Sequence, residues 1–163
     1  MRNAVFSMMV ENSTGVLSRV SGLFTRRGYN IESITAGHVL DEGMTRITIA
    51  TSGDDAVLEQ IEKQLAKLID VKEIRELPPD SSVNRELMLI KVKCDASTRK
   101  DIMSIVEIFR ANIVDAGPET MIIEITGGQD KLHAFVELLK DFQIVEIART
   151  GITALERGTS VLK

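Results

Sequence analysis

The segment Glu11-Asn12-Ser13-Thr14-Gly15-Val16-Leu17 places a glycine where a strand-like apolar run gives way to helical spacing. Glycine at a helix start leaves the amides of Gly15, Val16 and Leu17 unobstructed, and free N–H groups backed by the helix dipole make a receptor for a carboxylate. The plainer account of the same residues is that Asn12 or Ser13 caps the helix and Gly15 eases the turn. A second polar group, Asn30 in Gly28-Tyr29-Asn30-Ile31, can accept hydrogen bonds from an ammonium group or can simply form the turn after a helix. The helix between them, from Gly15 to Arg27, is roughly 20 Å long at about 1.5 Å per residue, so one chain cannot bring Asn12 and Asn30 to a single small ligand. Two chains paired about a two-fold axis can, and the expectation is an amino-acid site that exists only in a dimer.

Other chemistry-bearing residues form no constellation. His38 and His133 have no nucleophile or carboxylate placed beside them by sequence, and no catalytic triad can be named. Cys94 alternates onto the apolar face of a strand and reads as a small core residue rather than a thiolate. Gly127-Gly128 lacks the following lysine of a phosphate loop. Glu73, Glu76 and Asp80 are spaced as solvated charges, so no metal cage is expected.

The elements that must position Gly15 and Asn30 come in one order, used twice. Leu77-Pro78-Pro79-Asp80-Ser81-Ser82 divides the 163 residues nearly in half, with prolines and polar residues suited to a linker. Before it, Ala4–Val10 reads as a strand and Val16, Leu17, Val20, Leu23 and Phe24 as a helical stripe ended by Gly28. Asn30–Val39 and Met44–Thr51 form a hairpin around Asp41-Glu42-Gly43. Asp54 or Asp55 caps a helix striped by Val57, Leu58, Ile61, Leu65 and Leu68, and Val71–Leu77 closes the half. After the linker, Leu87–Cys94 is a strand, and Thr98 with Asp101 reads as a capping box for a helix carrying Ile102, Ile105, Val106 and Phe109. A hairpin around Gly117-Pro118, a helix through Leu132, Phe135, Val136 and Leu139, and the strand Ile144–Ala148 complete the repeat. The expected fold class is therefore α+β, two tandem ferredoxin-like βαββαβ domains at 1–77 and 84–163 with a linker at 78–83. Gly151–Lys163 is assigned no element of its own.

Composition narrows the partners. With 20 Lys+Arg against 24 Asp+Glu, the net charge of −4 supplies no field for a phosphate backbone or an anionic membrane. Aromatic residues are 4% of the chain, too few for base stacking. No apolar run approaches the ~20 residues of a membrane span, the N-terminus lacks a signal-peptide core, and one cysteine suits a reducing compartment, so a cytoplasmic protein is expected.

Glu11-Asn12-Ser13-Thr14-Gly15-Val16-Leu17-Ser18-Arg19-Val20, with Gly22-Leu23-Phe24 and Arg27-Gly28-Tyr29-Asn30-Ile31-Glu32-Ser33, resembles the regulatory small subunit of acetohydroxyacid synthase (acetolactate synthase). The similarity continues through Leu58–Leu65, Arg85–Leu89, Ile108–Arg110 and Val145–Gly151, covering nearly the whole chain. The first half then looks like an ACT domain, a ferredoxin-like module that commonly binds small amino acids. The resemblance implies no catalysis by this chain. It implies a homodimer that activates a catalytic large subunit and makes it sensitive to valine in branched-chain amino-acid biosynthesis. Thiamine diphosphate, FAD and Mg are expected on that large subunit and none on this chain. Asn12, Gly15, Val16 and Leu17 would form one half of the effector site, and Asn30 and Ile31 of the partner the other. The competing expectations are an ACT-type sensor of another enzyme and an acylphosphatase-like enzyme, which would need an arginine in the first strand-to-helix loop. Positions 11–17 hold none.

Overall fold

A computed structural model describes all residues, 1–163. The chain divides into two compact units, Met1–Asn84 with Gly151–Lys163, and Arg85–Thr150.

In the first unit, β1 (Arg2–Glu11), α1 (Val16–Arg27), β2 (Ser33–His38), β3 (Met44–Gly53), α2 (Asp55–Ala66) and β4 (Val71–Glu76) follow one another along the chain. Their sheet is antiparallel, with spatial order β2-β3-β1-β4. This is the ferredoxin-like arrangement the sequence predicts, with β1 and β3 central and β2 at an edge. Central strands need apolar residues, and β1 accordingly buries Ala4 through Val10 without a break. Alternate residues of β1 and β3 point into one core with the apolar stripes of both helices, around Phe6, Met8, Phe24, Ile47, Ile49 and Ile61. Phe6 is fully buried, and removing such a ring costs about 3–5 kcal/mol.

Helix ends follow the sequence signals. Gly28 closes α1, its N–H returning to the carbonyls of Phe24 and Thr25. Asp54 caps α2 by accepting from the Val57 amide at 2.8 Å, and Glu59 pairs with Lys63 on its wet side. Asp41 shapes the β2–β3 connection, accepting from the Gly43 amide at 2.9 Å.

The second unit repeats the order with β5 (Ser82–Lys93), whose first residues belong to the first unit, then α3 (Arg99–Ile108), β6 (Asn112–Ala116), β7 (Thr120–Gly127), α4 (Gln129–Leu139) and β8 (Ile144–Arg149). The sheet runs β6-β7-β5-β8 over its own core of Met88, Ile90, Ile102, Ile123 and Phe135. Cys94 is buried and unoxidised in this core. Thr98 does not cap α3 in the expected way. The reciprocal pair lies three residues earlier: Asp95 accepts from the amides of Ser97 and Thr98 at 2.8 and 2.9 Å, and Thr98 Oγ1 accepts from the Asp95 amide at 3.0 Å. The helical turn therefore opens at Asp95, whose carbonyl accepts from the Arg99 amide.

The expected second domain, 84–163, differs at its end. Gly151, at φ +87°, turns the chain back into the first unit. A Cβ there would stand 2.9 Å from Ser33 Cβ, so the position requires glycine both for its backbone and for its space. A further strand, β9 (Thr153–Glu156), then pairs with β5, and Ile152 and Ala154 cover Val5, Ala50 and Leu77 on the face of the first sheet away from its helices. The segment expected to be a linker is ordered, though exposed up to Ser81. Pro79–Ser81 form a 3₁₀ turn, and buried Ser82 donates to the Pro78 carbonyl at 2.7 Å.

Candidate functional site

The turn from β1 into α1 is built on Gly15. Its φ of +84° is left-handed, a conformation that favours glycine, and it carries the chain from strand into helix without a side-chain cap. The Asn12 amide is spent on the Gly43 carbonyl at 2.8 Å, while its side chain is exposed. Of the three amides expected to be open, the Val16 N–H makes a long bond of 3.4 Å to the Ser13 carbonyl, and the Val16 side chain belongs to the core. The amides of Gly15 and Leu17 donate to no acceptor in the chain, and both residues are exposed. Two unpaired donors at a positive helix end attract an anion.

The second unit shows what such a position draws in. At the equivalent strand-to-helix turn, the Asp95 carboxylate sits on the amides of Ser97 and Thr98 and accepts also from the Ser97 hydroxyl, and these bonds pull its pKa down to about 2. Where one unit supplies a carboxylate of its own, the other leaves its donors open.

Asp70 and Arg19, to which the sequence assigns no role, hold the open turn in place together with Ser13. Asp70, 4% exposed, accepts from Ser13 Oγ at 2.7 Å and from Arg19 Nε and Nη2 at 2.6 and 2.9 Å. Arg19 also reaches the Thr14 carbonyl at 3.4 Å, and Asp70's own carbonyl accepts from the Glu11 amide at 2.9 Å. An arginine does therefore reach the loop, from one turn inside α1, but Asp70 holds it by two bonds. Sequence offered little signal, because Asp70 is distant along the chain and stands between Ile69 and Val71 as an ordinary loop acid would.

The Arg19 guanidinium, and then the Ser13 hydroxyl, hold the Asp70 carboxyl below the ordinary carboxylate range. Since its folded pKa lies below the unfolded value of about 3.9, the unfolded chain binds more protons in that window and stability there rises with pH. The contribution is complete above the unfolded value and is lost as pH falls through the folded one. Melting midpoints measured across this acid range should fall less steeply for Asp70→Asn than for the wild-type chain, and equal slopes would remove Asp70 as an acid-labile anchor of the turn.

At the far end of α1, Asn30 exposes its side chain and uses its carbonyl to accept from Thr51 Oγ1 at 2.6 Å. Ile31 is half-buried against the first core. The structure thus brings Asn12, Gly15, Val16 and Leu17 together and leaves Asn30 and Ile31 separated from them by the 12 residues of α1, about 18 Å. Beside Asn30 runs the edge strand β2. Register places Ile34 and Ala36 opposite Ile49 and Ile47, hence on the helix-covered face, yet Ile34 is 37% exposed and Ala36 is exposed.

Two family models together span most of the chain: an AHAS small subunit-like ACT domain over residues 6–73, and the small subunit of acetolactate synthase over residues 85–158. A probable acetolactate synthase small subunit of Methanothermobacter thermautotrophicus is 50% identical over 97% of this chain and 95% of its own length. The chain belongs to the acetolactate synthase small-subunit family. The isozyme 3 small subunit of Salmonella typhimurium is 45% identical, with 98% of each chain covered. The crystal structure of an acetolactate synthase small subunit from Thermotoga maritima superposes with a TM-score of 0.90 at 45% identity, covering 98% of this chain and all of that one. Acetolactate synthase small subunits are regulatory, and the ACT assignment coincides with the unit that carries the Gly15 turn. No group of three or more His, Cys, Asp or Glu residues is arranged to hold a metal, and no helix is long and apolar enough to cross a membrane.

Proposed function

We propose that the chain dimerises through β2, binds valine across the dimer, and couples that binding to the activity of a thiamine-diphosphate-dependent catalytic large subunit in the cytoplasm. The observation that carries this reading is the pair of open amides at Gly15 and Leu17, about 18 Å from the unpaired Asn30 side chain across α1. A zwitterion needs an anion receptor and an ammonium acceptor a few ångströms apart, so a two-fold operation must supply one of them. Antiparallel addition of two β2 edges does so, laying the Gly15 end of one protomer beside the Asn30 end of its partner. The valine carboxylate takes the amides of Gly15 and Leu17, with Asn12 at the rim. Its ammonium meets the partner's Asn30, and its isopropyl group rests among Val16, Leu17 and the partner's Ile31.

Valine changes activity only if it binds one arrangement of the complex more tightly than another. A coupling of about 1–3 kcal/mol gives roughly 5- to 150-fold regulation. The large subunit brings thiamine diphosphate, FAD and Mg, and this chain contributes binding alone.

Calorimetric titration of the full chain with valine, leucine and isoleucine, beside sedimentation of the same sample, tests the reading. One branched-chain ligand per half-site pair, binding only to sedimenting dimers, is expected. Valine captured by a monomer, or no heat from any of the three, would remove it.

A further inference from the structure

The face of the first sheet away from its helices carries a cavity of about 230 Å³. Ser7, Arg46 and Arg75 form its polar side, and Leu77, Leu155 and Val161 its apolar side. The two arginines differ in their partners. Arg75 is neutralised by Glu73 and Glu156 and donates also to Ser160 Oγ at 2.8 Å. Arg46 is not: its one hydrogen bond runs to Ser7 Oγ at 2.8 Å, and no carboxylate stands within ion-pair distance.

A half-buried cation without a counter-ion is costly, and it is rare unless something completes it. Guanidinium carries five N–H donors and Arg46 uses one within the chain. Ser7 is fully buried, so its hydroxyl holds the Arg46 fork in place and the fork's other donors are left for a ligand. Burial also lowers the Arg46 pKa, though arginine keeps its charge at any working pH.

We propose that this cavity binds a small organic monocarboxylate, its oxygens paired with the Arg46 guanidinium and its short aliphatic body against Leu77, Leu155 and Val161. A volume of about 230 Å³ admits a short-chain acid. A single planar fork matches a carboxylate. A phosphate dianion fits worse, with Glu156 on the wall and Glu73 held to the same Arg75. The site lies on the opposite face of the sheet from the core that seats α1, and none of its lining residues belongs to the Gly15 turn.

The probe is isovalerate, titrated into the ¹⁵N-labelled full chain without valine. Saturable shifts of the Ser7, Arg46 and Val161 amides are expected. Arg46→Gln should weaken binding about tenfold or more, while Gly15→Asp should leave it unchanged, which separates this cavity from the amino-acid turn. Shifts confined to residues 12–17, an unchanged affinity in Arg46→Gln, or no saturable shift would overturn the proposal. Should Arg46→Gln fail to fold, the wild-type amide map decides alone. Inorganic phosphate binding in place of isovalerate would overturn the carboxylate assignment.

Discussion

Replacing Gly15 by aspartate should abolish valine inhibition of the reconstituted enzyme while leaving activation of the large subunit intact. The substitution brings a negative charge into a turn whose open amides await one, so the protein's own carboxylate competes with the ligand's. Hydrogen bonds to a charged group are worth about 1.5–3 kcal/mol each, and losing their use lowers valine affinity roughly a hundredfold or more. Strain is the smaller effect. At φ +84° a side chain costs about 1–2 kcal/mol, and its nearest neighbour would be the flexible end of Arg19 at 3.2 Å. Gly15→Ala carries the strain without the charge and should retain measurable inhibition. Inhibition titrations of both variants check this, and an aspartate variant inhibited by valine with unaltered affinity would sink the assignment.

Ile34→Asp should convert the proposed dimer to monomer and remove valine binding altogether. Ile34 faces the helix side of the sheet at an edge where its own chain leaves it 37% exposed, so an apolar side chain and an unpaired strand edge wait for the same partner. In the proposed dimer, aspartate puts a charge on the apolar edge that the partner strand would cover. The change leaves the core untouched, so the variant should melt as a folded chain and sediment at half the mass. A dimer that persists, or a monomer that still binds valine, would show that the site is assembled some other way.

Periodicity made much of the fold legible. The stripes of α1 and α2, the glycine at the end of α1 and the Asp54 cap all stand where apolar spacing and short-range hydrogen bonding put them. The α3 cap was misplaced because Asp95 and Thr98 form a box of the same spacing as Thr98 and Asp101, and only the first has the geometry. The Gly15 turn was legible as an open helix end. Its anchors were not, since Asp70 meets Ser13 and Arg19 only after α2 and β4 have folded back, and no local pattern encodes that encounter. Nor did any local pattern reveal β9, a four-residue strand whose apolar Ile152 and Ala154 gain meaning only against Val5, Ala50 and Leu77.

That returning strand fixes an order of events during synthesis. Residues 1–84 emerge from the ribosome long before Ile152 exists, so a nascent chain holds Val5, Ala50 and Leu77 bare to water until Ile152 and Ala154 follow. A gene truncated after the proline turn yields the first βαββαβ layer without its outer cover. A gene that omits residues 85–150 and joins Asn84 to Gly151 through a short spacer keeps that cover.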